Sequence, residues 1–223
     1  GMHAITANKG PVVHAYHALT ALARQQGRKF FFEGTVMDGA PIFSLFREAL
    51  PAARLLSFRW VLNSTTNLIL TLMEQGQSFD KAVAYAQQIG IAETDPSGDI
   101  DGWDAAVKVA ALATVLMDTP FKPQQVERQG IRGITPVEIT RAKEAGKRWK
   151  LVCSAQRAEH GIRGCVAPEM VALDSPLYGV EGTTSVVQFA TDVLGLLSVV
   201  ETDPGKDTTA YALLADFIHA VQR

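Results

Sequence analysis

The sequence predicts an α+β fold: a mixed, largely antiparallel sheet covered by helices on one face. Two observations carry that expectation. Helical and extended segments are mixed without the strict alternation that builds a parallel sheet. The stretch from Lys150 to Thr202 then gives up helical spacing for β-rich runs, the first two meeting at Gly161 in a hairpin turn. The 223 residues are 47% hydrophobic and 20% charged, enough apolar material for a sizeable core.

The elements follow in order. His3–Thr6 reads as a short strand ended by Asn8, Gly10 and Pro11. Val12–Gln26 has helical apolar spacing and stops at Gly27, with Pro11 suited to a helix start. Lys29–Val36, rich in Phe and Val, reads as a second strand, and a loop through Pro41 leads to a short helix ending at Leu50. Leu55–Leu62 is a third strand. N-S-T-T-N (63–67) opens a helix to Gln75, stopped by Gly76, and Ser78 caps a helix over 80–89, stopped by Gly90. An acidic loop precedes an apolar helix, Asp104–Met117. Thr135, Pro136 and Glu138 form a capping-box start to a helix that ends near Gly146. Strands are expected over 150–158, 162–173, 186–193 and 197–202, and a closing helix over 209–221.

The net charge of −2 gives no electrostatic case for nucleic acid or an anionic membrane surface. The longest apolar run, Val107–Met117, includes Lys108 and Thr114 and is far short of a membrane span. Cys153 and Cys165 lack metal-ligand spacing and are expected as free buried thiols in a reducing compartment. The five histidines are scattered. The chain opens inside what already reads as a strand and turn, so a preceding domain is expected.

Chemistry concentrates between Glu93 and Lys108, E-T-D-P-S-G-D-I-D-G-W-D-A-A-V-K. Asp104 and Lys108 are four apart on an otherwise apolar helix and share a face. Burial pushes a lysine's pKa down and a carboxylate pushes it up, so a lysine between the two can exchange a proton with a hydroxyl. The same spacing also serves an ordinary helix salt bridge. Asp101 would join this face if the helix starts early. Glu93 and the aspartates, Asp99 among them, could hold a cation such as an ammonium, or form a solvated loop; the ligand series of an EF-hand is incomplete. The N-S-T-T-N turn, with Ser64 and Thr65, suits a carboxylate or a plain helix cap. T-A-N-K-G-P places Lys9 past a strand's carboxyl end, where open α/β sheets bind ligands and where turn lysines are also common. Y-G-V-E-G-T-T (178–184) brings two glycines for close backbone approach. No G-x-G-x-x-G occurs.

Taken together, T-A-N-K-G-P (6–11), F-E-G-T-V (32–36), L-N-S-T-T-N-L-I-L (62–70), G-I-A-E-T-D-P-S-G-D-I-D-G-W-D-A-A-V-K (90–108), G-I-R-G-I-T (130–135), Y-G-V-E-G-T-T-S (178–185) and D-T-T-A-Y-A-L-L-A-D (207–216) resemble the homoserine dehydrogenase family over nearly the whole chain. The resemblance implies an oxidoreductase that interconverts L-homoserine and L-aspartate 4-semialdehyde with NAD or NADP, in threonine, methionine and isoleucine biosynthesis. It implies a cytoplasmic homodimer joined through the 150–202 sheet. Lys108 would be the acid/base lysine and Lys9 a second active-site lysine. Glu93, Asp99, Asp104, Thr65 and Ser64 would bind substrate, and Lys9 and Gly205 would meet the cofactor. A monovalent cation, sodium in the family, would fall on Glu33, Val36, Asp38 and Ala40. Residues 1–36 and 203–223 would be the remnant of a Rossmann-type nucleotide-binding domain, and 37–202 the catalytic and dimerisation domain. Such a chain would turn over little without the rest of the nucleotide domain. The alternative is a stand-alone, non-catalytic module that dimerises or binds an amino acid.

Overall fold

The computed structural model describes residues 1–205 and 207–222. Its order is β1 (Ala4–Ile5), α1 (Lys9–Gln25), β2 (Phe30–Phe31), α2 (Ile42–Ser44), β3 (Leu55–Val61), α3 (Ser64–Glu74), α4 (Phe79–Gln88), α5 (Ser97–Ile100), α6 (Trp103–Leu116), β4 (Glu127–Arg128), α7 (Pro136–Glu144), β5 (Lys147–Ala158), β6 (Gly161–Ala172), β7 (Ser185–Thr191), β8 (Gly195–Glu201) and α8 (Asp207–Val221).

The α+β expectation holds. Six strands form one sheet in the order β4-β6-β5-β3-β7-β8, antiparallel except where β4 joins β6. The β5–β6 hairpin keeps unbroken register from Ala158↔Gly161 to Lys147↔Ala172, and Gly161 sits at its turn. Alternation sorts the two faces. Phe58, Trp60, Leu151, Cys153, Ala155, Val187 and Phe189 point into the main core, with Phe58 and Trp60 stacked at 4.9 Å. Helices α3, α6 and α7 lie on that face. On the other face Arg59 stands between its cross-strand neighbours Ser154 and Gln188 and pairs with Glu169. The segment after β6 covers part of this face, burying Leu177 and Val180 against Val61, Val152, Val171 and Val186.

A separate parallel pair, β1 with β2, is bridged by α1, which packs against α6. Val12, Val13 and Phe32 of this unit belong to the same buried cluster as Trp60 and Phe189. Asn8 caps α1 by accepting from the Gly10 amide at 2.8 Å, so the helix begins at Lys9, earlier than its apolar spacing indicates. The helix is broken at Ala15, whose φ of −142° and ψ of 15° lie outside helical values.

Several expected elements differ. The strand expected over 29–36 shrinks to Phe30–Phe31, because the chain then turns into a 3-10 coil, Glu33–Thr35. There the Glu33 amide donates to Asp216 of α8 at 2.8 Å, a long-range bond that local pattern cannot reveal. The short helix before Leu50 continues past α2 as a wider π turn, Leu45–Ala49. Two-residue β4 was not expected at all. The acidic stretch is not wholly loop, since Ser97–Ile100 forms α5. Asp101 does not share the Asp104 face: α6 starts only at Trp103, and Asp101 pairs with Arg132 at 2.5 Å. The cysteines are free, but only Cys153 is buried; Cys165 is half-buried. Cys165 lies opposite Ser154, and Cys153 opposite Val166, so the two thiols point to opposite faces of the sheet and cannot pair.

Candidate active site

The site forms where α1, α3 and α6 begin. Gly102, with φ at +78°, lets the chain reverse from α5 into α6. That places Asp104 in the first turn, where the positive end of the helix favours an anion. One turn on, Lys108 lies 3.3 Å from Asp104 Oδ2, and Lys9 lies 3.3 Å from Oδ1. A single carboxylate therefore bridges two ammonium groups from elements nearly a hundred residues apart. Asp104 is also held by Asn63, whose Nδ2 donates to Asp99 Oδ1 at 2.7 Å and to Asp104 Oδ2 at 3.2 Å. Asn63 Oδ1 meanwhile caps α3 by accepting from the Thr66 amide at 2.9 Å. Asn63 is the site residue that sequence reasoning passed over: its helix-cap role was legible, its link to the two aspartates was not.

The electrostatics follow from this packing. Burial works against the Asp104 charge, but Lys108 and Lys9, with bonds from Lys108 and Asn63, outweigh it and hold the carboxyl down at about 2. Burial likewise opposes the charge on Lys108, whose side chain is only 15% exposed. Asp104, backed by Asp38 and Asp99, overcomes that and pushes its pKa above the ordinary lysine value. The Lys108 ammonium also donates to the Leu62 carbonyl at 3.0 Å. Lys108 is thus a charged proton donor at neutral pH, held in a sheltered spot with a second cation nearby.

A prediction follows for acid. Because Asp104 is depressed in the folded state, it contributes about 2 kcal/mol at neutral pH, lost as pH falls from about 4 to about 2. Urea midpoints for the parent and Asp104→Asn are expected to differ at pH 6 and to draw together as pH falls to about 2 and below. A gap that stays constant with pH would refute the charge coupling.

The other expected site residues are placed as follows. Lys9, Lys108, Asp104 and Asp99 come together. Thr65 and Ser64 lie beside Asn63, but their hydroxyls donate to the Ile91 carbonyl at 3.2 Å and the Thr183 carbonyl at 3.5 Å. The Thr65 bond ties the irregular segment at Ile91, two residues before Glu93, to the start of α3. Glu93 is exposed, and among the described residues its carboxylate has no partner; its carbonyl accepts from Gln87 at 3.2 Å. Gly205 is exposed in the turn before α8, where its carbonyl accepts from Thr208 Oγ1 at 2.7 Å, and it touches none of the cluster. Both oxygens of buried Glu33 accept amides, from Phe43 at 2.6 Å and Ser44 at 2.8 Å. Burial nonetheless raises the Glu33 pKa. Val36 and Ala40 are buried nearby, and Asp38 takes a bond from Thr209 at 3.2 Å. Among the described residues, no three His, Cys, Asp or Glu side chains are grouped to hold a metal ion.

A lysine–carboxylate–lysine centre at the start of α6 has the groups to exchange a proton with a polar molecule. Comparison with known proteins makes the class specific. The homoserine dehydrogenase family model matches residues 41–218. The chain is 38% identical over 223 residues to the NAD(+)-dependent homoserine dehydrogenase of Pseudomonas canavaninivorans, covering all of this chain and 63% of that protein. It is 36% identical over 218 residues to the homoserine dehydrogenase of Sulfurisphaera tokodaii, covering 98% of this chain and 67% of the other. A crystal structure of a putative homoserine dehydrogenase from Archaeoglobus fulgidus superposes with a TM-score of 0.89 at 33% identity, over 97% of this chain and 66% of that one. A hyperthermophilic archaeal homoserine dehydrogenase in complex with NADPH gives 0.83 at 33% identity, over 97% and 63%. The chain belongs to the homoserine dehydrogenase family, and spans about two-thirds of the length of these relatives.

Proposed function

We propose that this chain forms the substrate-binding and proton-transfer part of an NAD(P)-linked enzyme that interconverts L-homoserine and L-aspartate 4-semialdehyde. The observation that carries the reading is the Asp104 carboxylate clamped between Lys108 and Lys9 at 3.3 Å each. In oxidation, Lys108 Nζ in its neutral amine form would accept the proton of the substrate hydroxyl as hydride leaves the same carbon for the nicotinamide, when that cofactor is bound. In reduction, the Lys108 ammonium returns that proton to the carbonyl oxygen. Asp104 orients both lysines, and Asn63 fixes Asp104. Glu93, Asp99 and Asp104 supply negative charge for the substrate ammonium, and the Ser64–Thr65 turn meets its carboxylate.

The described residues suit one end of a nicotinamide cofactor. β1, α1 and β2 make a parallel βαβ unit, with Lys9 just beyond the carboxyl end of β1, the side on which such sheets bind ligands. Lys9 and the turn at Gly205 would hold that end of NAD or NADP, which supplies the hydride acceptor when bound. This reading assigns residues 1–36 and 203–223 to a nucleotide-binding unit and 37–202 to the catalytic unit. A sodium ion at Glu33, Val36, Asp38 and Ala40 would rely on backbone carbonyls, because the Glu33 carboxylate already serves two amides.

The reading extends to a cytoplasmic homodimer in threonine, methionine and isoleucine synthesis. No described helix is long and apolar enough to cross a membrane. Dimer contact through the sheet is supported by Leu196 and Val200 on edge strand β8, which are 70% and 58% exposed. A monomer in sedimentation at micromolar concentration would argue against it.

The test is homoserine-dependent reduction of NAD and NADP, with the chain joined to the dinucleotide-binding segment of a relative. Turnover dependent on homoserine is expected. Its absence, together with no binding of L-homoserine to the chain by calorimetry, would leave the non-catalytic module as the better account.

A further inference from the structure

Lys150 is a buried titratable group that the proposed reaction does not use. It is fully buried, at 0% exposure, on β5. Among the described residues its ammonium has no carboxylate partner; it donates to Asn67 Oδ1 at 2.9 Å and to the Val180 carbonyl. Burying a lysine this way is costly, and a core that needed only filling would use an apolar chain.

The segment 178–184 shows what the lysine does. Four of its carbonyls are held by side chains from β5 and α3. Arg148 donates to Tyr178 O at 3.3 Å, Lys150 to Val180 O, Asn67 Nδ2 to Gly182 O at 2.9 Å and Ser64 Oγ to Thr183 O at 3.5 Å. Arg148 is itself anchored by Glu74 and Glu181. Lys150 is the centre of this set: it holds the segment directly at Val180 and, through Asn67, sets the amide that holds Gly182. The far end of the segment rests on Ser64, next to Asn63 and Thr65 in the candidate site.

We propose that Lys150 is a positioning residue, which fixes residues 178–184 against the start of α3, beside the candidate site. The idea that L-homoserine binds beside this segment rests on the function proposed above; the anchoring itself does not. Lys150 touches no reacting atom. It acts through main-chain oxygens, and so determines where Thr183 and Ser64 stand rather than what they are.

Amide hydrogen exchange on Lys150→Met tests this, with and without L-homoserine. Exchange over 179–184 is expected to rise roughly tenfold or more, while α7 and the β5–β6 hairpin keep their protection. L-homoserine should protect the segment in the parent and protect it less in the variant. Unchanged exchange over 179–184 would overturn the proposal. So would a uniform rise across α3, β5 and the segment, which marks a residue of general stability. If Lys150→Met does not fold, Lys150→Gln, which keeps a donor, is expected to fold and to show the local rise; failure of both to fold would also assign Lys150 a general structural role. Absence of any L-homoserine effect in the parent would count against the substrate, while exchange without ligand still decides the anchoring.

Discussion

In the chain joined to a relative's dinucleotide-binding segment, Lys108→Met is expected to lower kcat in both directions by about 10²–10⁴-fold, the range lost with a general acid–base group. KM for homoserine should change far less if Glu93, Asp99 and Asp104 carry the ammonium as proposed above. The pH profile separates this from a packing defect. Asp104 raises the Lys108 pKa, so the lysine is protonated at neutral pH and must lose a proton before it can accept one from homoserine. Oxidation by the parent should therefore climb with pH through the neutral and alkaline range, and aldehyde reduction should fall only as Lys108 deprotonates. Lys108→Met should flatten both limbs. Near-parent kcat, or an unchanged profile, would remove Lys108 from the chemistry.

Gly130→Ala is expected to cost roughly 3 kcal/mol or more and to disable the site, although Gly130 touches no substrate group. A Cβ at Gly130 would come within 2.6 Å of Asp101 Cα, and closer still to the Ile100 carbonyl. These are backbone atoms, so they can yield only by moving the chain. The Ile100 carbonyl also accepts from the Ile131 amide at 2.9 Å, and the Asp101 carbonyl from Arg128. Displacing this junction shifts Asp99 and the Gly102 turn, and with them Asp104. Chemical denaturation should show the stability loss, and the Asp104 coupling described above should weaken with it. A variant as stable as the parent would show that the junction has slack.

Much of this organisation was legible in the sequence because it rests on local rules. The Thr135–Glu138 capping box, the Ser78 cap and the hairpin at Gly161 all stand where spacing placed them. So does the Asp104–Lys108 pair, since four residues on a helix bring two side chains together whatever surrounds them. What escaped was set by distant partners. The strand expected over 29–36 gives way where Glu33 meets Asp216 and the start of α2. Lys9 reads as a turn lysine until α1 docks on α6 and delivers it to Asp104. Lys150 begins an expected strand, and only the returning 178–184 segment shows why it is a lysine. Lys108 and Asp104 could be singled out from residue chemistry; the link through Asn63 required three elements to meet.

The break at Ala15 has a consequence for the whole centre. Lys9 opens the short run of α1 ahead of that break, a run held to the core by Val12 and Val13 and to Asp104 by Lys9 itself. Its first turn, Lys9–Pro11, can fray while Val12, Val13 and the sheet remain in place. Each such excursion would withdraw one of the two cations from Asp104, so competence of the centre tracks the integrity of a single helical turn rather than the melting of the molecule.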